Sequence, residues 1–138
     1  MSGKFDGFFY PKSIAIVGAS SKEKTLGWEL MKNLLNFGYK GKIFPVNPKA
    51  DFINSVRVYP SLTKIEEDID LAIIMVAKKF VLDSIDDCEK KNIKNIIVIT
   101  AGFKEVGEEG IEMEKLLMEK IHKYKVRMVG PNCMGIIN

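Results

Sequence analysis

The sequence predicts an α/β domain of the Rossmann-like, doubly wound kind: a mainly parallel sheet with helices on both faces. Two observations carry that reading. Short apolar runs alternate with amphipathic stretches of helical spacing. The runs are apolar at nearly every position rather than at every second one, as in strands buried on both sides. Such strand–helix alternation closes through right-handed crossovers into a parallel sheet.

The elements follow in order. SIAIV (13–17) is the first strand and breaks into Gly18-Ala19-Ser20. Leu30, Leu34 and Phe37 then recur at helical spacing, and Gly38 ends that helix. KIFPV (42–46) is the second strand, stopped by Asn47-Pro48, and VRVY (56–59) is a short third one. LAIIMV (71–76) is the fourth, followed by a helix with Val81, Ile85 and Cys88 on one face. NIIVIT (95–100) is the fifth. After the AGF turn, Met113, Leu117, Ile121 and Tyr124 mark another helix, and VRMVG (126–130) is the last strand. In sheets of this kind the ligand sits beyond the carboxyl ends of the strands. The loops to watch are therefore 18–27, 47–51, 76–80, 100–104 and 130–135.

A chain of 138 residues suits a single domain spanning 1–138, and 46% hydrophobic residues suffice for a core. The net charge of +3 is mild and suits a polyanionic small molecule as well as a nucleic acid, without deciding between them. No nucleic-acid-binding motif accompanies it, so no nucleic-acid partner is expected. Cys88 and Cys133 form no CxxC pair, which argues against a zinc site or a disulfide framework, and no metal ligand is assigned. The first twelve residues hold no apolar signal core, and no run is long enough to span a bilayer. The expectation is a cytoplasmic protein without a membrane partner.

The loop GASSKEKTLG, from Gly18 to Gly27, is the candidate phosphate site. Gly18 permits a tight turn; Ser20, Ser21 and Thr25 offer hydroxyls; the following helix aims its free N–H groups and positive end at the loop. It matches neither GxGxxG nor GxxxxGK[ST]. The tip of the second strand is more informative. An NAD site wants a carboxylate there for the ribose hydroxyls. Here stand Asn47, Pro48 and Lys49. Lys49 suits a phosphate on the ribose: the 2′-phosphate of NADP or the 3′-phosphate of coenzyme A. A solvated loop lysine is the competing reading.

GAS…LG, GKIFPVNPKA, AKKFV, ITAGFKEVGEEG and GPNCMGIIN, in that order over nearly the whole chain, resemble the N-terminal CoA-binding domain of ADP-forming acyl-CoA synthetases, acetate–CoA ligase among them. That family is related to the alpha subunit of succinyl-CoA synthetase. The resemblance implies that Ser20, Ser21, Lys24, Thr25, Leu26 and Gly27 wrap the diphosphate of CoA. It implies that Asn47, Pro48 and Lys49 meet the adenosine and its 3′-phosphate, and that Val76, Ala77 and Lys79 flank the nucleotide or the start of the pantetheine. Ile99, Thr100, Ala101 and Gly102 would line the pantetheine arm, and Asn132 belongs to the closing turn with Gly130, Pro131 and Cys133. Two departures from the family pattern stand out: Glu23-Lys24-Thr25 before the second loop glycine, and Val76-Ala77-Lys78 where Val-Pro-Ala is common.

The resemblance further implies the reaction acyl-CoA + ADP + phosphate ⇌ acid + CoA + ATP, with a phosphohistidine domain and an ATP-grasp domain as partners. His122, in IHKYK, has no glycine-rich loop around it and reads as a surface residue. No catalytic group is assigned, and the chain is expected to bind CoA and to be inactive alone, as the N-terminal part of a longer synthetase. Two alternatives stand beside this: an NADP-dependent oxidoreductase domain, and a stand-alone CoA- or nucleotide-sensing regulator.

Overall fold

The computed structural model describes residues 6–99 and 107–130. A short helix α1 (Asp6–Phe9) precedes β1 (Ser13–Val17), α2 (Leu26–Asn36) and β2 (Lys42–Val46). A small hairpin, β3 (Phe52–Ile53) and β4 (Val56–Arg57), and a single 3-10 turn (Leu62–Lys64) lead to β5 (Leu71–Ile74). Then come α3 (Lys78–Lys90), β6 (Asn95–Val98), α4 (Glu108–Tyr124) and β7 (Arg127–Val129).

The main sheet has the order β2-β1-β5-β6-β7, and every pairing in it is parallel. From β1 the chain moves outward to β2, then crosses back to β5 on the other side of β1. The strand order thus reverses beside the tip of β1, where open sheets of this class bind ligands.

The two faces of the sheet divide the core by the two-residue period of the strands. Ala15, Val17, Val46, Ala72, Ile74, Ile96 and Val98 face one way and pack with Val81, Ile85 and Cys88 of α3 and Leu117 and Ile121 of α4. Ile14, Ile16, Leu71, Ile73 and Ile97 face the other way and pack with Met31 of α2 and Phe8 of α1. All five residues of β1 are buried, Ile14 to Val17 as an unbroken apolar run predicts, and Ser13 with its hydroxyl donating to Asp68 O and accepting from Asp70 N–H. The Cys88 thiol is wholly enclosed, and burial, reinforced by the nearby Asp87 carboxylate, pushes its pKa up to about 12. It is an inert core residue.

Three expectations need correction. VRVY is a strand only over Val56–Arg57, and that strand belongs to a separate two-stranded sheet rather than to the main one. Asn54 and Ser55 both adopt positive φ (49° and 66°), the condition for a two-residue turn that folds Val56–Arg57 back on Phe52–Ile53. Tyr59 forms a parallel bridge to Val46, while Ile53 and Val58 pack into the core on the α2 side of the sheet. Phe37 does not lie on the buried face of its helix. It is the residue after the last turn, 85% exposed, because the chain leaves the helix there and turns at Gly38 (φ +79°). The strands at 71–76 and 95–100 are shorter than their apolar runs and end at Ile74 and Val98.

Between α3 and α4, Asp86 Oδ1 accepts hydrogen bonds from Lys120 Nζ (2.7 Å) and Tyr124 Oη (2.5 Å). Partial burial alone would raise the Asp86 pKa, but these two bonds and the lysine charge outweigh it and hold the carboxyl low.

Ile85→Ala is expected to destabilise the domain by about 2–5 kcal/mol, and Phe37→Ala by no more than about 0.5 kcal/mol. Urea denaturation of the two variants checks this; equal losses would contradict the layer assignment.

Candidate functional site

Three loops meet at the strand tips where the order reverses. The first, after β1, is built around two glycines. Gly18 has φ +98°, and a Cβ there would lie 2.6 Å from the Met75 carbonyl oxygen. Both the backbone conformation and the approach of the β5 tip require glycine. Its N–H donates to Val46 O (3.1 Å), tying the loop to the end of β2. A Cβ on Gly27 would lie 2.4 Å from Gly18 O and 3.1 Å from Ser20 N. Gly27 therefore lets the first turn of α2 lie directly on the loop, as the third glycine of a dinucleotide fingerprint does.

Between the glycines the loop is held by its own hydroxyls. Thr25 is the N-cap of α2: its Oγ1 accepts from Trp28 N–H (3.3 Å) and donates to Lys22 O (2.7 Å). Ser20 Oγ accepts from Lys22 N–H (3.0 Å). Thr25 has spent its one hydroxyl proton inside the loop, so it shapes the site rather than offering a donor to an anion. Lys24 sits at φ +70°, an uncommon place for a side-chain-bearing residue. Ser21, Lys24 and Leu26 are exposed around the loop, and Leu26 is 64% exposed despite being apolar.

The second loop follows β2. Asn47 is half-buried, while Pro48 and Lys49 are exposed. Asn47 Nδ2 donates to Ala19 O (2.9 Å), and Asn47 Oδ1 accepts from Lys49 N–H (2.8 Å). The third loop, Met75-Val76-Ala77, enters α3. Met75 N–H donates to Val17 O (2.7 Å), which fixes this loop beside the first. Ala77 caps α3 without a side-chain hydrogen bond, and the first helical turn carries Lys78 and Lys79 with no acidic residue. Two lysines at the positive end of an uncapped helix are electrostatically unfavourable unless an anion offsets them.

A cavity of about 420 Å³ opens between these loops, lined by Val17, Gly18, Val46, Asn47, Pro48, Val76 and Ala77. Phe80, at the end of the expected 76–80 loop, adds to its wall, and sequence reasoning missed the rest: Pro60, Ser61 and Leu62 after the bridge at Tyr59, and Asp83, Ser84 and Asp87 on α3. The α3 set repeats at helical spacing, one step round from the buried stripe of Val81, Ile85 and Cys88. Its mixed polarity hides it from a search for apolar periodicity. Burial pushes the Asp87 carboxyl up; Lys90 opposes this, and Asp83 and Asp86 reinforce it.

The structure therefore brings Gly18, Ser20, Ser21, Lys24, Thr25, Leu26, Gly27, Asn47, Pro48, Lys49, Val76, Ala77 and Lys79 to one end of the sheet. Ile99 follows β6 on the same edge, but it lines a separate groove on the α2 side of the sheet. Thr100, Ala101, Gly102 and Asn132 lie outside the described residues. His122 is exposed near the end of α4, on an element remote in sequence from these loops. Among the described residues no group of three or more His, Cys, Asp or Glu side chains is placed to hold a metal ion, and no helix is long and apolar enough to cross a membrane.

The family described as "CoA binding domain" matches residues 12–138. The chain is 47% identical over 133 residues to the alpha subunit of an ADP-forming acetate–CoA ligase II of Pyrococcus furiosus, covering 96% of this chain and 29% of that one. It is 47% identical over 130 residues to the ADP-forming acetate–CoA ligase I of Archaeoglobus fulgidus, covering 94% and 19%. Among solved structures it resembles the dinucleotide forming acetyl-coenzyme A synthetase 1 of Ca. Korarchaeum cryptofilum in complex with phosphate and ADP. There the TM-score is 0.89 at 42% identity, covering 96% of this chain and 28% of that one. The chain thus spans less than a third of the length of these relatives.

Thr25→Ala removes both the cap and the loop tie, and is expected to lower stability by about 1–2 kcal/mol. Gly27→Ala forces α2 away from the loop and is expected to cost more, about 2 kcal/mol or above. Thermal denaturation followed by circular dichroism measures both, and a silent Gly27→Ala would refute the close approach.

Proposed function

The chain belongs to the CoA-binding domain family, and on that footing we propose that it binds coenzyme A as one domain of an ADP-forming acyl-CoA synthetase. The observation that carries this reading is the pairing of a glycine-built helix N-terminus with an apolar cavity whose neighbouring strand tip bears Asn47-Pro48-Lys49 and no carboxylate. CoA has a group for each part: a diphosphate, an adenine ring and a 3′-phosphate on the ribose.

The diphosphate fits the first loop, where backbone N–H groups, the Ser20 and Ser21 hydroxyls and the positive end of α2 converge. The adenine fits the apolar cavity against Pro48 and Val76. The 3′-phosphate fits Lys49, with Lys79 and the uncapped end of α3 adding positive potential. Coenzyme A would supply the thiol on which the acyl group is carried. In this reading Thr25 and Gly27 hold the loop in shape, Lys24 and Leu26 border it, and Ala77 opens the way toward the pantetheine. Ile99, Thr100, Ala101, Gly102 and Asn132 belong to the path of the pantetheine arm.

The complete reaction, acyl-CoA + ADP + phosphate ⇌ acid + CoA + ATP, needs groups that this chain does not supply. Relatives more than three times its length carry the additional polypeptide. The partners proposed are accordingly a phosphohistidine domain and an ATP-grasp domain. The domain alone holds CoA and turns nothing over. An NADP-dependent oxidoreductase, by contrast, would need a hydride-transfer site, and none of the described side chains supplies one.

Calorimetric titration with CoA, and with NADPH in parallel, tests this. CoA is expected to bind and NADPH not; NADPH binding alone would overturn the assignment. Lys49→Ala is expected to weaken CoA about tenfold and to leave dephospho-CoA nearly unchanged. Equal losses for the two ligands would show that Lys49 does not read the 3′-phosphate.

A further inference from the structure

We propose that Asn47 is a positioning residue that latches the phosphate loop to the Lys49 loop, and that it does not itself bond the ligand. The inference rests on the CoA-binding reading above and reassigns one residue within it.

Asn47 sits where three segments converge. Its backbone N–H donates to Tyr59 O (3.0 Å), its Nδ2 donates to Ala19 O (2.9 Å), and its Oδ1 accepts from Lys49 N–H (2.8 Å). The orientation of the amide is unambiguous, because a carbonyl oxygen faces one end and a backbone N–H the other. One side chain thus bonds the backbone one residue after Gly18 and the backbone of the lysine proposed for the ribose phosphate. No other side chain among the described residues makes hydrogen bonds to both loops. The distance between the diphosphate position and the 3′-phosphate position is fixed within the ligand. A link that fixes the distance between the two loops therefore lowers the ordering cost of binding both phosphates at once.

The chemistry requires asparagine. Aspartate would keep the acceptor for Lys49 N–H but turn an oxygen toward Ala19 O, losing that bond and adding negative charge beside two phosphates. Alanine would lose both bonds. A contact residue and a latch then differ in what they do to the two ligands. Removing a contact to the adenosine weakens CoA and dephospho-CoA alike, since both carry it. Removing the latch frees Lys49, so it costs CoA more than dephospho-CoA.

The test is titration of Asn47→Ala, Lys49→Ala and the double variant with CoA and dephospho-CoA, with amide exchange at Lys49 followed by NMR. Asn47→Ala is expected to weaken CoA about tenfold and dephospho-CoA about threefold or less. In the Lys49→Ala background it should affect both ligands equally. The Lys49 amide should exchange several-fold faster in Asn47→Ala. In Asn47→Asp it should stay protected while CoA affinity falls; this variant also serves if the alanine one fails to fold. Equal losses for both ligands in the single variant would make Asn47 a contact residue and overturn the proposal, as would no loss at all. An unchanged Lys49 amide in Asn47→Ala would overturn the latch itself. Failure of the unsubstituted chain to bind CoA would overturn the reading beneath it and leave the amide measurement to decide the latch.

Discussion

The site depends on one steric condition: nothing larger than a hydrogen fits between the first turn of α2 and the loop that precedes it. A Cβ on Gly27 would stand 2.4 Å from Gly18 O. With that contact intact, the first turn of α2 lies directly on the backbone of Gly18 to Ser20 at the tip of β1. With it broken, the helix must tilt or slide outward. The tilt would propagate, because Met31 and its neighbours on α2 fill one face of the sheet. Gly18 meets a matching restriction from the other side, where the Met75 carbonyl leaves no room for a side chain. Two close approaches, one from the helix and one from the neighbouring strand, set the first loop between fixed walls.

Much of this was legible in the sequence, and the reason is local. β1 was readable because a strand buried on both faces is apolar along nearly its whole run, β2 because Ile43 to Val46 are apolar, and Gly18 and Asn47-Pro48 end the two runs abruptly. The stripe of Val81, Ile85 and Cys88 was readable because it repeats at 3.6 residues and is wholly apolar. The β3–β4 hairpin was not. Its turn is Asn54-Ser55, without glycine, and Ser at positive φ is not a residue that announces a turn. Phe37 was misleading because its spacing continues the helix by one step while the backbone has already left it. Beyond Phe80, the cavity wall on α3 was hidden because Asp83, Ser84 and Asp87 put two acids and a hydroxyl on one stripe, which no periodicity of hydrophobicity picks out.

The electrostatics of the two helix ends differ. α2 begins with a hydroxyl cap at Thr25 and an acid, Glu29, in its first turn. Its own needs are met locally, and only the N–H groups turned toward the loop remain for an anion. α3 begins with neither: Ala77 offers no cap, and Lys78 and Lys79 oppose the helix dipole. A free-standing helix would be better served by Ser or Asp at the cap and Glu in the first turn. Retaining the less stable choice is the trade expected at a functional end, where local rules give way to the requirements of a bound group.

The same logic bears on what the domain discriminates. A carboxylate at the tip of β2 would hold ribose hydroxyls and repel a ribose phosphate; a lysine two residues further on does the reverse. Asn47 occupies the position between these possibilities and is neutral, so its value lies in carrying a donor and an acceptor on one rigid, short side chain. It turns both inward, toward Ala19 and Lys49, and the turn it closes presents Lys49 outward. On the proposed reading, selectivity for a nucleotide bearing an extra phosphate would come from two separable sources: a charge, which attracts any phosphate that approaches, and a fixed distance between the two loops, which accepts only a ligand whose phosphates match it. A lysine on an unrestrained loop would supply the first without the second.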